Sequence, residues 1–259
     1  MKDQTLKVVK IGGKLIEDEG KLNAFLKDFS ALKGPKILVH GGGNFATEIA
    51  SRLGYETKLI DGRRITDKNS LDVIVMTYGG LINKSIVAKL QGMNTNSIGL
   101  CGADGKSVIS VKREVKEIDY GFVGDIKEIN SSFIISLLDM GITPVFSAIS
   151  ATTEGELLNT NGDSVAAEIA TAMSSFYTAE LYYCFEKKGV LENTQDENSV
   201  IKLLDRGSYE ELKDKKIISD GMLPKLHNCF QALDKGVSKI FLGDFTLLQN
   251  KPQSTQISK

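Results

Sequence analysis

Three consecutive glycines, Gly41 to Gly43, stand between the apolar run KILVH and the segment NFATEIASR, which has helical periodicity. A glycine turn between a strand and a helix leaves backbone N–H groups exposed at the helix N-terminus, which is the positive end of the helix dipole. This arrangement favours a bound anion. Three anions suit this HGGG turn (Gly41–Gly43): the phosphates of a dinucleotide, the oxyanion of an ester under cleavage, or the phosphates of a nucleotide donor.

The first two interpretations find little support elsewhere in the chain. Gly41, Gly43 and Ala46 fit G-x-G-x-x-A, and Asp61 follows Gly41 by twenty residues, but it lies in the polar loop DGRRIT rather than at the end of an apolar strand. An esterase would need a G-x-S-x-G nucleophile motif, which the sequence lacks. The P-loop-like segment 99–107, GLCGADGKS, misses the required spacing by one residue, so it is interpreted as a turn.

A second strand–glycine–helix pattern, KVVKIGGKL, favours the nucleotide interpretation. Gly12 and Gly13 form this IGG turn (Gly12–Gly13), and Lys10 stands at the strand end before it. Two such turns would place two sets of N–H groups around one anion, with Lys10 as a phosphate-binding cation rather than a solvated strand end.

A third polar cluster is Asn159, Asn161 and Asp163 in LLNTNGDSVAAEIA, just before or within the first turn of a helix. One of the three is explained by helix capping, and the others could face a ligand at the carboxyl edge of a sheet.

Cations supply the remaining candidates. In ISDGMLPKL, the turn Asp220–Gly221 precedes a helix whose first turn contains Lys225, where a cation opposes the helix dipole unless an anion lies nearby. In DGRRIT, Arg63 and Arg64 offer guanidinium groups shaped for a carboxylate.

Histidines and aromatic residues are interpreted as structural. His40 and His227, the only two histidines, have no paired carboxylate or cysteine, which argues against catalytic triads and histidine-rich metal sites. Tyr182, Tyr183 and Phe185 are assigned to core packing, with one flanking an adenine as the alternative.

The alternation of apolar strands and helices predicts an α/β fold with a mainly parallel sheet covered on both faces. The polar segment 186–199 is expected to be a loop at the boundary of a second lobe, and the last ten residues are expected to fray. The predicted strands are 6–11, 36–40, 96–102, 142–149, 179–185 and 238–243. The predicted helices are 19–32, 44–53, 68–90, 131–141, 163–173 and 222–235, and SVISVKREV with GFVGDIKEI predicts a hairpin.

Bulk composition is that of an ordinary globular protein. The 259 residues are 41% hydrophobic and carry a formal net charge of −1, which gives no indication of nucleic acid or an anionic membrane as partner. Three dispersed cysteines predict neither disulfides nor a zinc site, and they suit a reducing cytoplasm. We find no leader segment and no apolar run near the roughly 18 residues of a membrane span.

Taken in order along the whole chain, KIGG, VHGGGNFATEIA, DGRRIT, LLNTNGDSVAAEIA and ISDGMLPKL resemble the amino acid kinase family and, within it, the acetylglutamate kinase branch. The resemblance implies an open three-layer α/β/α sandwich, with an N-terminal lobe (1–176) for the acyl-amino acid and for dimerisation, and a C-terminal lobe (177–259) for ATP. It implies transfer of the γ-phosphoryl group of MgATP to the side-chain carboxylate of an N-acyl-glutamate, in cytoplasmic arginine biosynthesis by a homodimer. The substrate's acyl group is left open between acetyl and succinyl.

By matching motif positions, the resemblance also implies residue roles. Lys10 and Lys225 would neutralise the transferred phosphoryl group, and Asp163 would orient both lysines. Arg64, Asn159 and Asn161 would bind the substrate, with Gly42 and Gly43 shared between substrate and phosphate. Phosphate-binding N–H groups would come from Gly12, Gly13, Gly42 and Gly43. No protein metal ligand is implied, and Mg²⁺ would arrive with ATP.

Three features depart from the family pattern. The acidic loop of type S/T-D-V-x-G is replaced by CFEKKG, where Glu186 is the nearest acid, and the C-terminal G-T-x-I is replaced by STQI at 254–257. The first strand begins almost at once, so we expect a dimer without arginine feedback. A kinase for another small acid, a non-catalytic nucleotide-binding regulator and an NAD-dependent dehydrogenase remain as alternatives.

Overall fold

The structure is a computed structural model that describes residues 4–60, 62–193, 195–215, 217–218, 222–250 and 252–259. Asp61, Asp220 and Gly221, which the sequence analysis considered, lie outside the described residues.

Strands and helices alternate along the described chain. The strands are β1 (Thr5–Ile11), β2 (Lys36–His40), β3 (Leu59–Ile60), β4 (Arg63–Arg64), β5 (Ser97–Leu100), β6 (Val108–Lys112), β7 (Gly124–Ile129), β8 (Thr143–Ser147), β9 (Ile149–Ala151), β10 (Leu157–Asn159), β11 (Thr178–Cys184), β12 (Leu203–Leu204), β13 (Lys239–Gly243) and β14 (Ser254–Ile257). The helices are α1 (Gly13–Glu17), α2 (Glu19–Ala31), α3 (Gly43–Arg52), α4 (Lys68–Ile74), α5 (Asn83–Gly92), α6 (Ser131–Asp139), α7 (Gly162–Met173), α8 (Arg206–Asp214) and α9 (Leu223–Asp234), with a π-helical segment Val75–Ile82 and a 3₁₀ turn Asp104–Lys106.

The chain divides into two compact units. The first unit comprises Met1–Lys36 and Ala166–Lys259, and the second comprises Ile37–Val165. In the first unit the strand order is β12-β14-β13-β11-β1. Strands β1, β11 and β13 run parallel, and β14 is antiparallel to β13. The functional division into lobes at residues 1–176 and 177–259 stays a prediction.

The second unit contains three groups of paired strands. Strands β2, β8 and β5 are parallel and adjacent in that order. A four-stranded sheet has the order β10-β9-β6-β7, and β3 pairs with β4 in a two-stranded ribbon. All five residues of β2 and all five of β8 are buried, as expected for parallel strands covered on both faces. The prediction of a mainly parallel α/β fold is confirmed.

The C-terminal segment differs from the sequence prediction. The last ten residues were expected to fray, but Ser254–Ile257 forms β14, which pairs with both β13 and β12. Thr255 and Ile257 are fully buried, and the Thr255 hydroxyl accepts a hydrogen bond from the Val190 N–H at 2.8 Å. Pairing and burial of alternate residues therefore outweigh the polar composition of this segment.

The long helix at 68–92 combines α4, the π-helical segment and α5. By length and composition alone this helix could cross a membrane, but its longest run without a charged residue, 73–83, has only eleven residues. Inside the protein, 44% of its most apolar window is buried. The Asn83 N–H donates to the Tyr78 carbonyl, an i to i−5 bond that closes a π-type turn. A π-helix inside an α-helix often marks a functional site.

Candidate active site

The HGGG turn requires glycine at its centre. Gly42 has φ of +155°, a conformation that side-chain-bearing residues rarely adopt. A Cβ atom at Gly42 would collide with Ile82 Cδ1 and would lie 3.1 Å from two carbons of the Tyr78 ring. Both side chains come from the π-helical segment and are buried. The turn is therefore packed against the long helix, and the backbone itself forms the surface there.

Helix α3 begins directly at this turn. Gly42 is its N-cap residue and contributes no side-chain capping hydrogen bond. The first N–H groups of any helix lack intrahelical partners, and at this end no side-chain oxygen from the cap residue reaches them. The arrangement suits an anionic ligand, as the sequence predicted.

Arg64 is fixed beside the same turn. Its guanidinium donates to the Gly43 carbonyl at 2.8 Å, to Thr47 Oγ1 at 2.7 Å and to Thr57 Oγ1 at 2.9 Å. Burial lowers the pKa of Arg64 from its usual range, an effect that the nearby Tyr78 phenol opposes. None of these acceptors carries a formal charge, so a half-buried guanidinium here would be stabilised by an anion.

Asn159 is hydrogen-bonded to Thr66, which follows Arg64 by two residues. Its Nδ2 donates to Thr66 Oγ1 at 3.0 Å, and its backbone N–H donates to the Phe122 carbonyl at 2.9 Å. The Phe122 N–H in turn donates to the Thr66 carbonyl at 2.7 Å. The segments carrying Arg64, Phe122 and Asn159 are thus joined by hydrogen bonds within the second unit.

Asn161 caps α7. Helix capping was the structural role that the sequence predicted for one residue of the cluster Asn159, Asn161 and Asp163. The Oδ1 of Asn161 accepts from the N–H groups of Asp163 at 2.8 Å and Ser164 at 3.1 Å. This oxygen serves the helix, and the role of Asn161 in substrate binding stays a prediction. Asp163 lies half-buried in the first turn of α7, where the helix dipole favours a carboxylate.

The IGG turn differs from the expectation in one detail. The Gly12 N–H donates to the Cys184 carbonyl at 3.1 Å, which extends the pairing of β1 with β11. That amide has a backbone partner in this structure, and its role as a phosphate donor stays a prediction. Gly13 begins the short helix α1 after this turn.

Lys10 and Lys225 lie on one face of the sheet of the first unit. Lys10 is the parallel register partner of Tyr183, and residues paired in this way direct their side chains to the same face. Lys225, in the first turn of α9, places its Nζ 4.9 Å from the centroid of the Tyr183 ring and 5.8 Å from that of Phe185. The two lysines predicted from opposite ends of the chain are therefore brought to the same aromatic surface.

Glu186 lies in the segment CFEKKG, which replaces the acidic loop of the family pattern, and it has a local partner. Its carboxylate forms an ion pair with Lys14 Nζ at 2.8 Å, and the pair raises the pKa of Lys14. Both side chains are more than half exposed, so the pair adds little to stability. It links α1 to the loop after β11.

Sequence reasoning missed the residues that hold the predicted ones in place. These are Thr47 and Thr57, which orient Arg64; Tyr78 and Ile82, which pack on Gly42; and Tyr183, which supports Lys225. For Tyr183 a signal exists, because Tyr183 and Phe185 alternate on β11 and must share a face. The others depend on contacts between segments distant in sequence.

Comparison with known proteins shows the family to which the chain is similar. Residues 5–244 match the family described as "Amino acid kinase family". Curated relatives called acetylglutamate kinase are 49% identical in Phocaeicola vulgatus, over 92% of this chain and 93% of theirs, and 45% identical in Bacteroides thetaiotaomicron, over 99% of each chain. One from Cytophaga hutchinsonii is 50% identical over 92% of this chain and 91% of its own.

Solved structures show the same fold. A Streptococcus mutans protein, smu.665, aligns with a TM-score of 0.80 at 26% identity, over 98% of each chain. N-acetylglutamate synthase from Neisseria gonorrhoeae aligns with a TM-score of 0.83 at 20% identity, over all of this chain and 60% of its own. At that identity the second likeness concerns the fold alone.

Proposed function

The chain belongs to the amino acid kinase family, and on that basis we propose that it transfers the γ-phosphoryl group of MgATP to the side-chain carboxylate of N-acetyl-L-glutamate. The product is an acyl phosphate, the form in which a carboxyl group is activated for arginine biosynthesis. The observation that carries this proposal is the identity of 45–50% with curated acetylglutamate kinases over more than nine-tenths of the chain.

The residues suit a reaction that needs charge stabilisation rather than a general base. A carboxylate is already ionised and nucleophilic at pH 7. Burial lowers the pKa of His40 to about 4, so this histidine is neutral and enclosed at that pH. Phosphoryl transfer depends on alignment of the reactants and on stabilising the negative charge of the transferred group.

Magnesium enters as part of the MgATP substrate. The described residues contain no group of three or more histidine, cysteine, aspartate or glutamate side chains that could hold a metal ion. Mg²⁺ retains several waters and binds phosphate oxygens readily, so a dedicated protein cage is unnecessary.

Lys10 and Lys225 are proposed to neutralise charge on the transferred phosphoryl group, and Asp163 to orient them. Their shared face beside Tyr183 supports this role for the two lysines. The amides of Gly13, Gly42 and Gly43 are proposed as further donors to anionic oxygens, since fixed N–H groups stabilise developing charge without reorganising.

Arg64 and Asn159 are proposed to bind the α-carboxylate of the substrate. The role of Arg64 is supported by the three hydrogen bonds that fix its guanidinium group. Their acceptors are all uncharged, so none of them is a counterion. A carboxylate accepts two parallel N–H bonds from a guanidinium, which fixes orientation as well as affinity.

A succinyl group in place of the acetyl group would add a carboxylate, which would need a cation nearby. Three cations are candidate partners for that carboxylate. Arg63 is exposed on β4, and Lys84 donates to the Gly99 carbonyl at 3.0 Å. Lys112 places its Nζ 4.7 Å from the centroid of Phe122, the residue whose carbonyl binds Asn159. Lys112 is therefore the cation proposed to face an extended acyl group.

We further propose a cytoplasmic homodimer. The long helix leaves Met76 and Leu81 more than half exposed, and an exposed apolar patch on one helix is typical of an interaction surface. The oligomeric state is measured by sedimentation, with substitution of both residues by Gln expected to shift a dimer towards monomer.

A coupled ADP assay tests the proposed function. N-acetyl-, N-succinyl- and unacylated glutamate are compared as acceptors, and turnover with an acylated form only is expected. Lys10→Ala and Lys225→Ala should each lower kcat at least tenfold, on the scale of a lost donor to the transition state. Lys21→Ala, which removes an exposed lysine paired with Asp18, is the matched control.

Three outcomes would contradict the proposal. Unchanged turnover in both lysine variants would exclude their roles. Binding of ATP without ADP release for any acyl-amino acid would instead favour a non-catalytic nucleotide-binding regulator, and turnover of another small acid would favour a different kinase of the family.

A further inference from the structure

A buried pair, His40 and Asn83, lies directly behind the HGGG turn. His40 ends β2 and is fully buried, and Asn83 follows the π-helical segment and is 1% exposed. The His40 Nδ1 lies 2.9 Å from the Gly41 carbonyl oxygen, and its Nε2 lies 3.0 Å from Asn83 Nδ2. Neither side chain has a role in the reaction described above.

The neighbouring groups assign the proton on the imidazole. Asn83 Nδ2 also donates to the Val145 carbonyl at 2.9 Å, so its amide nitrogen must face both the carbonyl and the ring. The opposite amide orientation would set Asn83 Oδ1 against that carbonyl, two acceptors facing each other. His40 Nε2 is therefore the acceptor. Its Nδ1 carries the hydrogen and donates it to the Gly41 carbonyl.

This bond orients the peptide between Gly41 and Gly42. In a trans peptide the carbonyl and the following N–H point in opposite directions. Because the Gly41 carbonyl is turned towards the buried imidazole, the Gly42 N–H is turned away from it. The φ of +155° at Gly42 shows that the turn holds an unusual backbone conformation, which a local hydrogen bond can stabilise.

Asn83 is itself held in place by the long helix and by Gly99. The π-type bond from the Asn83 N–H to the Tyr78 carbonyl lets residues 78 and 83 lie one turn apart on the same side of the helix. Tyr78 packs on Gly42, and Asn83 meets His40. A Cβ atom at Gly99 would collide with Asn83 Oδ1, so only glycine there leaves room for this amide.

We propose that His40, in its Nδ1–H tautomer fixed by Asn83, is a positioning residue that directs the Gly42 N–H towards the anion bound at the HGGG turn. The kinetic part of this inference rests on the proposed function. The structural part, the tautomer and its partners, does not.

The first test needs no turnover. Long-range ¹H–¹⁵N spectra of the imidazoles distinguish the tautomers, and only two histidines must be assigned in this chain. We expect His40 to be neutral at pH 7 with the hydrogen on Nδ1, and Asn83→Leu to release that preference. A hydrogen on Nε2 in the wild-type protein would overturn the proposal, whatever the enzyme turns over.

The second test separates positioning from packing by using two amide substitutions. In His40→Asn the side-chain amide nitrogen can occupy the place of Nδ1 and donate to the Gly41 carbonyl. In His40→Gln it reaches the place of Nε2 instead. We expect kcat to fall about 10²-fold in His40→Gln and His40→Leu, with KM changed less than about threefold, and His40→Asn to recover to within about tenfold of wild type.

The control is His227→Asn, at the exposed histidine, which should leave kcat unchanged. Activities are expressed per folded protein, so that loss of stability in His40→Leu does not count as loss of catalysis. Equal activity of the Asn and Gln variants would show that His40 only fills space, and it would overturn the proposal. Absence of wild-type turnover would instead refute the proposed function, and the spectra would still decide the tautomer.

Discussion

The HGGG turn and the IGG turn share one sequence pattern but differ in structure. Each follows a buried strand and precedes a helix. At Gly42 the backbone has φ of +155° and a Cβ atom would collide with Ile82, whereas at Gly12 φ is −83° and a Cβ atom would lie 3.6 Å from the Cys184 carbonyl, an ordinary contact. The Gly12 N–H donates to the Cys184 carbonyl of a neighbouring strand, while the Gly41 carbonyl oxygen lies 2.9 Å from His40 Nδ1.

The difference teaches that glycine serves two purposes in one motif. In the HGGG turn it is required by conformation and by the close approach of the long helix. In the IGG turn the backbone at Gly12 would accept a residue with a side chain, because strand pairing already determines its conformation. Four experiments test this distinction, in decreasing order of the expected effect.

Gly42→Ala should have the largest effect. The new methyl group overlaps Ile82 Cδ1 and crowds the Tyr78 ring, in a backbone conformation that alanine rarely adopts. We expect a loss of about 3 kcal/mol in the free energy of unfolding and about 10²-fold in kcat/KM. Urea titration and the ADP assay measure the two. Wild-type behaviour would show that the turn is not constrained.

The pH dependence of stability should report His40. Burial, opposed in part by the bond to Gly41, lowers its pKa to about 4 from 6.5 when unfolded. The unfolded chain then binds the proton first, so stabilisation is complete above pH 6.5 and is lost as the pH falls towards 4. The expected loss is about 3 kcal/mol.

Urea titrations from pH 7 to pH 4 measure this loss, and His40→Asn should remove it. His227→Asn is the control, and it should retain the wild-type dependence because His227 is exposed. If His40→Asn retained the full dependence, the loss would belong to other groups.

Arg64→Lys should have an intermediate effect. A lysine cannot reproduce the fork that joins Gly43, Thr47 and Thr57, although it keeps the charge. We expect KM for the acyl-glutamate to rise about tenfold, consistent with a weakened charged hydrogen bond. Arg63→Lys, on the exposed neighbour, is the control and should leave KM unchanged. Equal KM in both variants would contradict the role of Arg64.

Gly12→Ala should have the smallest effect. Its φ suits alanine and its Cβ atom meets ordinary contact distances, so we expect a change below about 1 kcal/mol in stability and below about threefold in kcat. A loss as large as that of Gly42→Ala would remove the distinction between the two turns.

The sequence by itself determined the positions of most strands and helices and of the two glycine turns. Apolar runs such as KILVH and the glycines that follow them are local properties, and the structure places β2 and the start of α3 there. Local chemistry also identified Arg64, Lys10 and Lys225 as candidate cations. It left the role of Asn161 undecided between ligand and helix cap, and the structure supplies the cap.

Only the tertiary structure decided which groups meet. The bond from Arg64 to Gly43 spans 21 residues and that from Asn83 to His40 spans 43, and no local pattern specifies either. The burial of β14 and the engagement of the Gly12 N–H depend likewise on neighbouring strands. The physical reason is that hydrophobic period and turn chemistry act within a few residues, whereas hydrogen-bond partners and available volume are set by packing between distant segments.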